Sequence, residues 1–260
     1  MSKRAKKANG KTSGKGPRGT RSSKPSPKSA DQRGREDIPF QLPQVEAEDK
    51  RRAGRLLRLL DKYYGDAECE LNFRSPHELL IATILSAQCT DVAVNKATPA
   101  LFKAFPRPKD YADASPEQIE PYIRSLGFFR NKSKAIHSSM TDVVERFGGK
   151  VPRTMSDLLS LHGVARKTAN VVLGNAYDIN VGVVVDTHVQ RLARRLCLVE
   201  DGETVQMIER RLMALFPRNR WTDLSHMLIW HGRRACSARG KSCADHEICK
   251  KFGDCCDRRG

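Results

Sequence analysis

The chain has 260 residues, 39% of them apolar, enough for one large or two small domains with true cores. Lys and Arg number 47 against 30 Asp and Glu, and the formal net charge of +17 points to a polyanion as partner. Apolar runs such as VGVVV at 181–185 are far too short to span a bilayer, so a soluble protein with no membrane partner is expected.

In chain order, residues 1–35 carry twelve Lys or Arg against the single acid Asp31. Gly, Ser, Pro and Lys fill this stretch, which cannot bury enough surface to fold. Residues 1–45 are therefore expected to form a disordered basic tail, either solubilising or binding phosphates. It holds no apolar run of the secretory kind.

From residue 46 the signals are helical. AGRLLRLLDKYY (53–64) spaces its apolar residues for one helix face, and SPHELLIATILSAQ (75–88) opens with a serine cap, a proline in the first turn and an acid. SPEQIEPYIRSL repeats that opening at Ser115, and NKSKAIHSSMTDVVERFGG (131–149) ends in glycines fit for a C-terminal cap. Further helices are expected near 154–161, 166–177, 187–198, 203–216 and 221–231. INVGVVVD (179–186) reads as extended, and no second strand offers it a partner. The expected fold class is all-α, with short connections.

In MSDLLSLHGVARKTANVV (155–172) one helix ends near Leu161, Gly163 can take positive φ, and a second helix starts near Arg166. This is a helix-hairpin-helix signature: amides freed at the second helix's start can face a DNA phosphate. An ordinary pair of antiparallel helices has the same local pattern. Lys167 stands where the helix dipole disfavours a cation. An amine that acts as a nucleophile must be neutral when it attacks, whereas an ordinary lysine is almost wholly protonated at neutral pH. A simple phosphate contact is its other reading. Asp186, just before THVQRLARRL, is a natural helix cap. A carboxylate fixed there could also stabilise positive charge on a sugar.

Eight cysteines are present, and five of them, Cys236, Cys243, Cys249, Cys255 and Cys256, lie in the last 25 residues. With no secretory signal, this crowding favours a metal or cluster site over disulfides. Cys236, Cys243, Cys249 and Cys255 are separated by six, five and five residues, a spacing that suits zinc or an iron–sulfur cluster alike. Cys256 can replace Cys255 in that set. Cys69, Cys89 and Cys197 read as ordinary half-buried thiols.

GVARKTANVVLGNA, VDTHVQRLARR and the C-terminal cysteines together resemble the endonuclease III family of bifunctional DNA glycosylase/AP lyases, over roughly residues 46–260. The resemblance implies a two-domain helix-hairpin-helix glycosylase fold, with a six-helix barrel over 69–179 and an iron–sulfur cluster domain formed by 46–68 and 180–260. It implies a monomer acting on double-stranded DNA that carries damaged pyrimidines or abasic sites. Oxidised pyrimidines would be removed through a Schiff base at C1′, and the abasic site cleaved on its 3′ side by β-elimination. Lys167 would be the nucleophile and Asp186 the assisting carboxylate. A [4Fe–4S] cluster would sit on Cys236, Cys243, Cys249 and Cys255, although the middle gap is three residues longer than the family's and His246 stands at the family's third-ligand position.

DNA contacts are expected on Gly163, Ala165 and Arg166 of the hairpin, on His188, and on Arg239 and Lys241 in the cysteine loop, which a closed cluster would hold rigidly. Gln88 would fill the gap left by an extruded base. Phe128, where the family commonly has leucine, would be the second wedge, with Arg130, Lys132 and Lys134 beside it. The hairpin departs from the family at His162 and Ala165, where Pro and a second Gly are usual. Such an enzyme is expected in the cytoplasm beside a bacterial nucleoid, or in the nucleus or an organelle of a eukaryote. Two rivals remain. A monofunctional glycosylase of the adenine-mismatch type usually lacks the hairpin lysine; a non-catalytic hairpin DNA-binding protein has no need of Lys167 and Asp186 together.

Overall fold

The computed structural model describes residues 38–239 and 245–253. The basic segment 1–37, Lys241, Cys243, Cys255 and Cys256 lie outside the described residues. Every regular element among those described is helical. In order these are α1 (Ala47–Tyr64), α2 (Pro76–Leu85), α3 (Asp91–Ala104), α4 (Pro108–Asp113), α5 (Pro116–Ile123), α6 (Phe129–Phe147), α7 (Met155–Leu159), α8 (Arg166–Tyr177), α9 (Thr187–Arg195), α10 (Val205–Leu215), α11 (Trp221–Arg234) and α12 (Glu247–Phe252), with a 3-10 turn at Arg218–Arg220. None is long and apolar enough to cross a membrane.

Buried side chains fall into two clusters. The first draws on residues 71–181 and the second on 53–64 together with 183–252. α2 is the centre of the first, because PHELLIATIL is apolar on every side and all of 79–85 is buried. Its start matches the expected signals: Pro76 is in the first turn, the Ser75 hydroxyl accepts from the Glu78 amide, and the Glu78 carboxylate accepts from the Arg74 amide at 2.6 Å. α2 packs on α8, while α6 covers α4 and α5 and ends at Gly148 with φ +59°. In the second cluster α9 lies on α11 and α10, and α1 on α10, α11 and α12.

Three helices escape the sequence reading: α3, which carries Pro99 in its interior, and the short α4 and α12. A second difference concerns the tail, whose expected disorder does not extend to residue 45. Ile38, Phe40, Leu42 and Val45 pack against the second cluster, and the Arg166 and Arg210 guanidiniums lie over the Phe40 ring. The burial of these four apolar side chains is what ties residues 38–45 to the folded part. The 179–186 stretch contains no strand: Val181, Val183, Val184 and Val185 are buried, and the Val184 amide donates to the Ser225 hydroxyl of α11. A Cβ at Gly182 would fall 2.2 Å from the Glu209 carboxylate and 2.6 Å from the Asn170 amide, so a larger residue there would displace both side-chain ends.

Candidate active site

The hairpin is built as its sequence demands. Thr154 caps α7, Leu161 and Val164 are buried beneath the turn, and Gly163 takes φ +75°. Ala165 ends the turn at φ −90°, so alanine sits there without strain and its peptide carbonyl starts the helix by accepting from the Ala169 amide. No side chain caps α8, and its first-turn amides have no intrahelical partner. Lys167, second residue of this helix, is exposed.

Its neighbour Arg166 differs. The Arg166 guanidinium donates to both carboxylate oxygens of the buried Glu209, at 2.9 and 3.0 Å, while Asn170 donates to Glu209 at 2.9 Å. The Arg166 side chain is therefore turned inward, and what it offers at the helix start is its backbone amide. Glu209 was missed in the sequence because its partners stand 43 and 39 residues away.

Asp186 is the N-cap of α9: Oδ1 accepts from the amides of His188 and Val189, both at 2.8 Å. His188 thus enters through its amide, while its half-buried ring packs by Gly232 and approaches Arg191 at 3.2 Å. Lys167 and Asp186 line one cavity of about 100 Å³, and no ion pair joins them. Its wall is apolar at Val171, Val184, Ile229 and Trp230. Opposite, Arg233 of α11 is ion-paired with Glu70 and, at 2.7 Å, with Asp91. Burial raises the Cys69 thiol in this wall to about 11, so it stays protonated at neutral pH. Burial likewise holds the half-buried His226 ring below the ordinary histidine range. A larger groove of about 740 Å³, between residues 41–43 and α10, is lined by neither Lys167 nor Asp186.

The two expected wedge residues share a conformation. Gln88, exposed between α2 and α3, has φ +55°; Phe128, 63% exposed at the start of α6, has φ +58°. Phe129 instead packs on the first cluster. Arg130 is exposed and lies over the Phe129 ring, and Arg239 is exposed. Lys132, expected beside the Phe128 wedge, is buried at 5% exposure and donates to Cys89 Sγ at 3.0 Å.

Of the expected cluster ligands, the described ones come together. Cys236 and Cys249 are buried, neither is in a disulfide, and with His231 they form a group whose ligand atoms all lie within 4.8 Å. Arg195 Nη1 donates to Cys236 Sγ at 3.1 Å. His231 Nε2 is 3.3 Å from Cys249 Sγ and its Nδ1 is 3.0 Å from the Tyr64 hydroxyl, an arrangement one neutral tautomer satisfies. Burial, with help from His246 and Arg191, lowers this imidazole to about 4 and keeps it neutral. His246 caps α12 by accepting from the Ile248 amide at 3.2 Å and turns Nε2 to Tyr64. Both of its ring nitrogens are thus engaged by protein. Cys197 is disulfide-bonded and not the plain thiol expected.

Residues 81–218 match the family model of the HhH-GPD superfamily of base excision DNA repair proteins. Endonuclease III of Synechocystis sp. is 48% identical over 202 residues, covering 78% of this chain and 92% of that protein. Endonuclease III of Escherichia coli is 39% identical over 184 residues, covering 70% and 86%. Among solved structures, a trapped endonuclease III–DNA covalent intermediate matches with a TM-score of 0.76 at 37% identity, over 83% of this chain and 99% of that one. A thermostable thymine-DNA glycosylase, 20% identical with a TM-score of 0.68, shares the fold. By the span of the family match and the identity of these relatives, the chain belongs to the endonuclease III family, within the HhH-GPD superfamily of base excision DNA repair proteins.

Proposed function

We propose that the chain excises oxidised pyrimidines from double-stranded DNA and then cleaves the abasic site, with Lys167 as nucleophile and Asp186 as assisting carboxylate. The observation that carries this reading is the cavity shared by Lys167, at the uncapped start of α8, and Asp186, at the start of α9. A solved relative caught as a covalent intermediate with DNA supports a covalent step.

The neutral Lys167 amine attacks C1′, and the damaged base departs with the bonding electrons and a proton. Asp186 steadies the positive charge that develops on the sugar and accepts the proton the amine sheds. Asp186 returns that proton to O4′ as the C1′–O4′ bond breaks and the sugar ring opens, leaving a protonated imine that acidifies the 2′ proton. Its loss expels the 3′ phosphate, and water then hydrolyses the imine and releases the enzyme. Gln88 and Phe128 fill the stack while the nucleotide is turned out. The amides around Gly163 and Ala165, with Arg130 and Arg239, hold the phosphates.

Cys236 and Cys249, with Cys243 and Cys255, would hold a [4Fe–4S] cluster. Two buried cysteines outside disulfides, with the Arg195 N–H donating to one sulfur and the His231 ring nitrogen beside the other, fit that role. When bound the cluster supplies a rigid structural tie. The two buried clusters correspond on this reading to a six-helix barrel and a cluster domain, acting as a monomer beside the nucleoid.

Borohydride trapping tests the central step. Wild-type protein with abasic DNA and reductant should become covalently attached. Lys167→Gln should give no adduct and slow base release by on the order of a thousandfold while still binding DNA. Asp186→Asn keeps the cap, since Asn serves as well there, but loses the charge. It should slow base release by about a hundredfold with binding unchanged. An adduct formed by Lys167→Gln would overturn the assignment.

A further inference from the structure

Lys132 is out of place in a hydrophobic interior. At 5% exposure the side chain is buried almost throughout, and a charged group in such surroundings needs a partner. Among the described residues its hydrogen-bond partner is one atom, Cys89 Sγ at 3.0 Å. A leucine or methionine would fill the same space with no such need, so the contact must do something packing does not.

What it joins is specific. Cys89 directly follows Gln88 in a turn so short that Ser86 ends α2 and Thr90 already caps α3, with the Cys89 amide donating to the Ser86 carbonyl at 3.1 Å. Lys132 is one turn into α6, and its amide donates to the Phe128 carbonyl at 3.1 Å. Each partner is therefore fixed to a loop that carries an exposed side chain on left-handed backbone, Gln88 at φ +55° in one and Phe128 at φ +58° in the other. Non-glycine residues take that conformation at a cost, and they hold it where surrounding contacts determine it.

We propose that Lys132 and Cys89 are positioning residues: their Nζ–Sγ contact braces the two loops and fixes the spacing of Gln88 and Phe128 as they enter the DNA stack. The proposal rests on the reading of those two side chains as wedges. It predicts an asymmetry. Cys89→Ala strands a buried ammonium, whereas Lys132→Met leaves only a thiol without a donor, so the first should be the less stable protein and the double variant should regain stability over Cys89→Ala. Cys89→Ser keeps an acceptor and should stay near wild type.

The decisive measurement is the rate of base extrusion, followed by the fluorescence of 2-aminopurine placed opposite a lesion, with melting temperature recorded for each variant. Because a displacement of about 1 Å can cost a hundredfold, Lys132→Met should slow the fluorescence rise by about tenfold or more while binding lesion DNA within about threefold of wild type. Gln88→Ala and Phe128→Ala serve as controls. If both are silent, the wedge reading falls and the brace with it. If they register while Lys132→Met matches wild type, or if its loss merely tracks its folded fraction, the brace alone is refuted.

Discussion

The two buried clusters are assembled in different ways. The first comes from one continuous stretch, residues 71–181. The second joins 53–64 to 183–252, and its ties cross most of the chain: Arg52 donates to the carbonyls of Leu196 and Phe252, Arg211 to Asp49, and Lys62 and Tyr63 to Glu247. Closing so long a loop costs more entropy than closing local turns. Those ties, and the cysteine site that fastens α12 near α1, offset that cost. The candidate catalytic groups sit at the meeting of the two. Lys167 stands on α8, rooted in the first cluster through Ala169, Val172 and Leu173, and Asp186 caps α9, rooted in the second through Val189 and Leu192. Their relative placement is thus only as firm as the contacts between clusters.

The Glu209 cluster is one of these contacts, joining α10 to α8. Replacing Glu209 with alanine leaves the Arg166 guanidinium half-buried without its carboxylate and removes the acceptor of Asn170. Breaking a buried pair in this way typically costs about 3–5 kcal/mol, which should appear as a lowered urea midpoint. Base release should fall further than the folded fraction explains, because Arg166 directly precedes Lys167. A loss below about 1 kcal/mol would mean that the clusters hold together without this tie.

Matched helix caps sharpen the comparison with a smaller effect. Thr90 caps α3 in the first cluster, accepting from Ala93 at 3.2 Å, and Thr204 caps α10 in the second, accepting from Met207 at 3.3 Å. Each alanine substitution should cost about 1 kcal/mol. If the clusters unfold together, both variants shift one shared transition by the same amount. Hydrogen exchange would reveal the alternative, with Thr90→Ala loosening only α2 to α8 and Thr204→Ala only α9 to α12.

What the sequence made visible follows the same division between local and distant causes. Ser75, Asp186 and Gly163 act within a few residues of themselves, so their roles as cap, cap and turn were legible. Lys167 and the cysteines were found because motif and spacing are also local. Pro99 hid α3, although Val94, Ala97, Thr98 and Leu101 repeat at helical spacing and are buried. Of Arg166 and Lys132 a sequence shows the charge alone. Their actual partners, Glu209 and Cys89, lie 43 residues away and leave no mark beside them.

The last tie between clusters is sensitive to pH. His226 of α11 places Nε2 2.7 Å from Asn175 Oδ1 on α8, and burial holds this ring below the ordinary histidine range, with Asp223 opposing weakly. The sign follows from proton counting: below about pH 6.5 the unfolded chain takes up a proton that the native ring resists, so the unfolded state binds more. Stability from this site is complete above the unfolded value and is lost as pH falls toward the depressed native one. Burial also lowers His77, His231 and His246, so the wild-type slope alone does not isolate His226. His226→Gln retains a donor for Asn175 but does not titrate. Comparing urea midpoints at about pH 7.5 and 5.5, wild type should lose more stability than the variant, by no more than about 1.4 kcal/mol per pH unit for one proton. Equal losses would show that His226 is protonated as readily in the folded protein as in the unfolded chain, and that its contact to Asn175 ties α8 to α11 at every pH.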